Sequence, residues 1–335
     1  MKKQLKLCCL SFTAPLHIGN VRNDYDSSEL MIHSDTLYAA IMQAWSTLGK
    51  NDWITPEVSF AISSLLPYTT DQLTQEKVLF FKKPYLPANQ SNVNGNVLPP
   101  ADRKRLKKTV YVDADIFEKL LAANYTPSAT HIRGKYVTEK SIDAGFISSS
   151  IRPRIQRSLN AEEDTRIFYM EQLYFNTGSG LYFLYDGDES SWKKVEAALR
   201  FLGEAGLGTD RTVGQGRFDY ASEPIIFDLP DDCNHHTNLS LYLPSDTVIL
   251  EKIHADECGF ELIRRGGWIG EPYNSYRKRS VYMFREGAVL SVGANRHALT
   301  VEGATVDLRP EKTPVKVQHP IYRVGRSLFF PIRLS

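Results

Sequence analysis

Net charge is almost absent from this chain: 40 Lys and Arg stand against 39 Asp and Glu, a formal +1 at pH 7. A free-standing coat for nucleic acid would be more basic, so any binding to a polyanion has to come from local patches. Cysteine is scarce too. Cys8, Cys9, Cys233 and Cys258 form no Cys-x-x-Cys pair, which argues against a thiolate zinc site or a disulfide framework and suits reduced thiols in the cytoplasm. No stretch reaches the roughly 18 apolar residues that span a bilayer, so no membrane partner is expected. The opening MKKQLKLCCLSF has the outline of a short signal peptide. Lys6 interrupts its apolar run, however, and the alternation of Leu5, Leu7 and Cys9 reads as a first strand, with Cys8 and Cys9 on opposite faces. Low-complexity tracts are missing as well. With 42% apolar and 24% charged residues over 335 positions, the composition is that of an ordinary globular protein, long enough for two domains. A soluble cytoplasmic protein is expected.

What is present begins with helical spacing. Leu37, Ile41, Ala44 and Leu48 recur on one face after a loop, with Ser34 placed to cap the start and Gly49 to end it. From Phe80 to about Leu159 the texture changes. FFKKPYLPANQSNVNGNVLPP reads as a projecting loop, followed by ADRKRLKK with five basic residues between Arg103 and Lys108. A short helix (DIFEKLLAA), a basic segment HIRGKYV and SSSIRPRIQRSLN complete the region. IFYMEQLYF, the turn NTGSG and LYFLYDGD predict a β-hairpin. WKKVEAALRFL predicts a second helix, with Trp192, Val195, Leu199 and Leu202 on one face, and RFDYASEPIIF a returning strand.

Without the insertion this order is βαββαβ, the split βαβ of ferredoxin-like and RNA-recognition folds. The pattern restarts at about Asn238 as short strands. The expected fold is α+β: a ferredoxin-like domain over 1–230 with a thumb-like insertion at about 80–159, then a second, degenerate and β-rich ferredoxin-like domain over 231–335.

Between the second helix and the last strand of the first unit lies GLGTDRTVGQGRF, residues 206–218. A dinucleotide fingerprint would need a glycine where Arg211 stands. A Walker A loop would need Lys-Ser/Thr where Thr209-Asp210 stands. Both would also need a following helix, whereas this loop follows a helix and precedes a strand. Two readings remain. One is a structural turn. The other, favoured by the number of glycines, is a clamp for a nucleic-acid backbone. In it Gly206, Gly208, Gly214 and Gly216 allow close approach with N–H groups turned outward, and Thr209, Arg211, Thr212, Gln215 and Arg217 contact phosphates.

These features, with PLHIG (15–19), HSDTLYAAI (33–41), FFKKP (80–84), IRPRIQR (151–157), RRGGW (264–268) and HPIYRVGRSLFFPI (319–332), resemble the RAMP superfamily of CRISPR-associated RNA-binding proteins. Within it they are most similar to the subunits of type III-A (Csm) interference complexes that grip the 5′ tag of the crRNA. The matches run in family order along nearly the whole chain. The resemblance implies a non-catalytic role in antiviral defence: holding the repeat-derived tag beside the large polymerase-like subunit and the first repeated backbone subunit, with the insertion as a thumb. Splayed tag bases would then lie against the ferredoxin-like surface.

The remaining candidates are weighed on their own chemistry. Arg152, Arg154 and Arg157 flank Pro153, which favours extended chain from which guanidinium groups fork onto phosphates. His33, Ser34 and Thr36 mark a helix start where phosphate could bind. His17 and His33 are also the candidates for the main alternative, a metal-independent endoribonuclease of CRISPR transcripts; a hydrogen-bonded or RNA-contacting histidine is the plainer reading. Lys104, Arg105, Lys107 and Lys108 read either as a solvated face or as an RNA or partner contact, as do Lys82, Lys83, Arg133, Lys135, Arg323 and Arg326. A third possibility is a pure protein adaptor. DGDES (186–190) lacks the spacing of a calcium loop and reads as a helix N-cap. Neither metal nor cofactor is expected.

Overall fold

The computed structural model describes residues 1–19, 25–86, 99–156, 166–245, 250, 253, 257–270, 272–291, 301–311 and 317–334. β1 (Lys2–Phe12) is followed by α1 (Ser34–Thr47), β2 (Ala61–Ile62), β3 (Leu66–Thr70) and β4 (Lys77–Lys82). Next come α2 (Pro100–Lys108), β5 (Tyr111–Asp113), α3 (Ala114–Leu121), β6 (Ile132–Arg133), β7 (Tyr136–Val137) and β8 (Ile147–Gln156). β9 (Arg166–Phe175), β10 (Gly180–Asp186), α4 (Glu189–Ala205) and β11 (Phe218–Asp228) follow. The C-terminal part contributes β12 (His235–Asn238), β13 (Leu262–Arg265), β14 (Val281–Phe284) and β15 (Val289–Ser291). It ends with β16 (Val301–Glu302), β17 (Thr305–Asp307), β18 (Tyr322–Val324) and β19 (Ser327–Ile332). No helix among the described residues is long and apolar enough to cross a membrane.

Nine strands form the main sheet, in the order β11-β1-β10-β3-β4-β5-β7-β6 with β2 beside β10. The first four are antiparallel throughout. With α1 between β1 and β3, and α4 between β10 and β11, this is the order of one split βαβ unit. The period-2 pattern of β1 is realised on both sides of the sheet. Cys8 and Leu10 pack into a core with Leu37, Ile41, Trp192, Val195 and Leu199 of α1 and α4. Leu5, Leu7 and Cys9 pack into a second core with Phe117 of α3 and Phe330 of β19. Asp188 caps α4 as expected, its carboxylate accepting from Ser191 N–H at 2.7 Å. Gly49, with φ +74°, follows the end of α1.

Four expectations are corrected. The face on which RNA-recognition folds stack bases is closed here, because α3 and β19 bury Leu5, Leu7, Tyr182 and Phe227 beneath them. Segments 167–175 and 180–186 do not form a hairpin. β10 is apolar on both faces and takes the doubly buried place between β1 and β3, while β9 pairs with β8 in a separate two-stranded ribbon. The start of the 80–159 region is no projection: Phe80 and Phe81 are fully buried in β4, and β5, β7 and β6 extend the main sheet. What stands apart from the main sheet is the β8–β9 ribbon; residues 87–98 lie outside the described residues. Ser34 does not cap α1. His33 occupies the N-cap position without a side-chain cap bond, and Ser34 Oγ instead accepts from Leu241 N–H at 3.0 Å.

The C-terminal strands share this core through Val289, Leu328, Phe330 and Ile332, and hold a smaller one of their own around Tyr242, Phe284 and Phe329. Phe330 lies 5.0 Å from Phe227 and 6.3 Å from Phe117, ring centre to ring centre, and Phe117 stacks on Phe81 at 4.4 Å. Phe117 thus ties insertion, sheet and C-terminal part together. Phe117→Ala is expected to cost about 3–5 kcal/mol, read as a lowered midpoint in denaturant unfolding.

Candidate nucleic-acid interface

The glycine loop is built around its own backbone. Leu207 N–H donates to Gly216 O at 2.9 Å, and Gly216 N–H to Pro15 O at 2.8 Å. Thr209 N–H donates to His17 O at 3.0 Å, and Gly19 N–H to Thr209 Oγ1 at 3.0 Å. The loop and the PLHIG segment are therefore laced together. A β-carbon on Gly206, Gly208 or Gly216 would strike the carbonyl of Gln215, His17 or Leu207 respectively, and all three have positive φ. These glycines permit close approach of protein backbone to protein backbone. The expectation of outward-facing phosphate donors is corrected for Gly206, Gly214 and Gly216: their N–H groups, like those of Leu207 and Thr209, donate to carbonyls of the chain.

What the laced loop presents is side chains. Arg211 opens a short 3-10 turn, Arg211–Val213, ended by Gly214 in the left-handed region. Thr209, Thr212 and Arg217 are exposed, and Arg211 and Gln215 are half-buried. Neither Arg211 nor Arg217 has a carboxylate partner among the described residues. The β8–β9 ribbon stands against this loop. Leu16 and Leu173 exchange backbone hydrogen bonds at 3.0 and 2.7 Å, and Arg154 pairs with Asp210 at 2.7 Å. Arg154 thus works as a tie between ribbon and loop. Arg152 is exposed, its guanidinium 5.5 Å from the centre of the Tyr174 ring. On the opposite ribbon face Ile151, Pro153 and Ile155 stand across from Glu171, Tyr169 and Ile167. Most of that face is apolar and open to solvent. Arg157 lies outside the described residues.

His17 is only 1% exposed beneath this assembly. Its Nδ1 lies 2.7 Å from Glu171 O; since a carbonyl can only accept, Nδ1 is the donor. Nε2 is buried with no hydrogen-bond partner. His33 is buried as well, its Nδ1 2.8 Å from Glu286, which also accepts from Ser64 Oγ. Neither histidine is exposed as a general acid or base would need to be.

The helix start expected to bind phosphate is occupied by protein. Asp35, fully buried, takes a bidentate contact from Arg265 at 2.8 and 3.0 Å and a further bond from Arg323. Arg265 also donates to Thr36 Oγ1 at 2.9 Å, and Arg323 to Gly266 O at 3.0 Å. Three motifs distant in sequence, HSDT, RRGGW and YRVGR, converge on one carboxylate. Burial on its own would raise the Asp35 pKa; Arg323 and Arg265 outweigh it and hold the carboxyl well below its ordinary range. Arg323 and His33 are corrected from RNA contacts to partners in the core, and Ser34 with them. Thr36 alone of that group is exposed.

The remaining lysines and arginines divide. Lys83 is corrected: its Nζ donates to Leu106 O at 2.8 Å and Thr109 Oγ1 at 3.1 Å, closing the end of α2. Burial, and then Lys82, push its pKa down to about 8. Lys82 is half-buried beside the Tyr85 ring, and Arg326 is half-buried with Nε unpartnered. Lys104, Arg105, Lys107 and Lys108 are exposed on α2, as are Arg133 and Lys135. Asp35 was not singled out from the sequence, although the surplus arginines of RRGGW and YRVGR call for a buried acid. Asp210 was missed because its partner lies 56 positions away.

Two expectations follow. Asp35→Asn should destabilise the protein by about 3–5 kcal/mol near neutral pH, because it removes one member of a buried ion group. The depressed native pKa places this contribution above about pH 4, and it is lost as the pH falls. Urea unfolding across a pH series should therefore show the two proteins converging in acid. Gly216→Ala, at φ +71° and against Leu207 O, should lower stability by at least about 1 kcal/mol and loosen residues 206–217, read as faster amide hydrogen exchange there.

Residues 231–332 match the family model described as the CRISPR Csm4 C-terminal domain. Along the chain there is similarity to the "CRISPR system Cms protein Csm4" of Thermococcus onnurineus (strain NA1), 29% identical over 312 residues, covering 89% of this chain and 90% of that protein. A protein of the same description from Methanocaldococcus jannaschii is 23% identical over 192 residues, 52% of this chain and 50% of that one. The fold resembles the matched chain of a Csm3-Csm4 subcomplex of the type III-A CRISPR-Cas interference complex, with a TM-score of 0.62 at 18% identity, covering 98% and 99% of the two chains. It likewise resembles the matched chain of a Csm1-Csm4 cassette solved with cA4, with a TM-score of 0.60 at 20% identity and 99% of each chain covered. Residues 231–332 thus carry a Csm4 C-terminal domain, and along nearly its whole length the chain is similar to Csm4 proteins in sequence and in fold.

Proposed function

We propose that the chain is a non-catalytic subunit of a type III-A interference complex that holds the 5′ tag of the crRNA. In this reading it bridges the large polymerase-like subunit and the first repeated backbone subunit, in the cytoplasm. The observation that carries the proposal is the laced loop. Its backbone is held rigid against residues 13–19, while Arg211, Arg217 and Arg152 stand at its surface without carboxylate partners among the described residues. Fixed guanidinium groups on a rigid frame suit a phosphate chain, since phosphate contacts set register without reading sequence. The threonine hydroxyls of Thr209 and Thr212 lie on the same loop and add neutral donors.

Burial of His17 and His33 supports a holding role over the alternative endoribonuclease. Solved complexes pairing Csm4 with Csm1 and with Csm3 support the bridging position. Four free cysteines, three of them buried, suit a reducing compartment. We read the strands after residue 231, whose largest sheet runs β15-β12-β19-β16, as a second ferredoxin-like domain that has diverged from the first.

The test is binding of tag-bearing RNA to the assembled complex across a salt series, with incubation of repeat-containing RNA in the absence of metal as a parallel arm. Arg211→Ala combined with Arg217→Ala should weaken tag binding and flatten the salt dependence by about 0.7 in slope for each phosphate no longer neutralised. Unchanged affinity at every salt concentration would remove the loop from the interface. RNA cleavage abolished by His17→Ala or His33→Ala would replace the holding role with the nuclease.

A further inference from the structure

With the central sheet covered on both faces, the aromatic rings that reach solvent lie elsewhere, and one of them sits in a basic setting. β13 and β14 pair antiparallel, with Leu262 opposite Phe284 and Arg264 opposite Tyr282. Strand alternation sends Ile263, Arg265 and Met283 to one face. That face belongs to the body of the protein: Met283 is buried and Arg265 reaches Asp35. The other face carries Leu262, Arg264 and Tyr282, and ends at Phe284, which is buried against Tyr242 and Phe260. Tyr282 is 62% exposed and Leu262 54%, and nothing in the described fold covers them. Beyond β13 the ribbon continues as a bridge between Trp268 and Arg277, whose guanidinium lies 4.8 Å from the centre of the Trp268 ring. Arg264 donates to Ser280 Oγ at 3.0 Å, and neither it nor Arg277 has an ion pair among the described residues. The adjacent acid, Glu261, is already taken by Tyr85 and Arg285. The face therefore sets an open ring directly across from Arg264, with Arg277 farther along the same ribbon.

We infer that this outer face of the β13–β14 ribbon is a second RNA contact, which takes a single-stranded stretch by stacking a base on Tyr282 and holding phosphates with Arg264 and Arg277. A ring offers its face to any base, and guanidinium groups beside it and farther along the ribbon suit successive phosphates of one strand. The charge balance selects the occupant: a folded protein partner would present mixed charge, whereas the unpaired arginines favour a polyanion. The site is separate from the glycine loop, and only the choice of RNA as the polyanion rests on the function proposed above.

The experiment measures binding of a short fluorescent oligouridylate to the assembled complex, with ultraviolet cross-linking to locate the contact. Tyr282→Ala should weaken binding about tenfold, within the range for removal of one stacked base, and Tyr282→Phe should restore it. Arg264→Gln should reduce the salt slope by about 0.7. Cross-links should map to the peptide containing Tyr282. The Tyr282 effect should persist in the Arg211→Ala, Arg217→Ala protein, so failure of the loop proposal leaves this one standing and the reverse also holds. Unchanged affinity in Tyr282→Ala would overturn the inference, as would dissociation of a neighbouring protein subunit from Tyr282→Ala complexes whose RNA affinity is intact, which would make the ribbon a protein interface.

Discussion

A strand buried on both faces has no surface to lend to a ligand, and β1 is such a strand. Along its middle, Cys8 and Leu10 lie under α1 and α4, and Leu5, Leu7 and Cys9 under α3 and β19. The second cover is what distinguishes this molecule from an isolated RNA-recognition unit, which leaves one sheet face open for bases. Here the insertion and the C-terminal strands close that face with Phe117 and Phe330. Burial of aromatic rings on this scale stabilises the association of the parts, and it moves every ligand-facing group to loops and ribbons at the margins.

The margins are held by polar contacts of two kinds. The glycine loop is fixed by backbone hydrogen bonds to Pro15 and His17 and by the Arg154–Asp210 pair. Asp35 gathers Arg265 and Arg323 at the start of α1, and Glu286 gathers His33, two positions before Asp35, together with Ser64. A buried carboxylate with paired guanidinium groups contributes less net stability than its contacts suggest, because desolvation offsets the attraction. Its stronger effect is geometric. Arg265 and Arg323 both come from the C-terminal part, so Asp35 sets where that part sits against α1. The same arginines that suggested RNA in the sequence are committed to orientation.

Sorting the arginines in this way changes which groups are available to a ligand. Arg211, Arg217 and Arg152 remain on one side, on and beside the laced loop. Arg264 and Arg277 remain on the β13–β14 ribbon. Arg154, Arg265 and Arg323 are bound within the protein, and Lys83 closes α2. A chain with a formal charge of +1 can thus still present concentrated positive charge where its own carboxylates do not reach.

Local pattern was enough for α1, α3, α4, β1 and β11, since amphipathic spacing, caps and alternation act within one element. It was not enough for the strand order of the first unit, whose second strand is β3 (Leu66–Thr70) beside β10 and not the 167–175 segment. Pairing partners were beyond it. β9 and β10 are adjacent and both apolar, yet one joins β8 and the other enters the main sheet, because only β10 can bury both faces between β1 and β3. That 206–217 is a glycine-rich loop between a helix and a strand can be read directly from its residues, because composition and spacing are local properties. Folding is what commits three of those glycines to contact with the chain's own backbone, leaving side chains to face outward. Which carbonyl lies against a glycine depends on segments nearly two hundred residues apart, as with Gly208 and His17, and no local pattern records that distance.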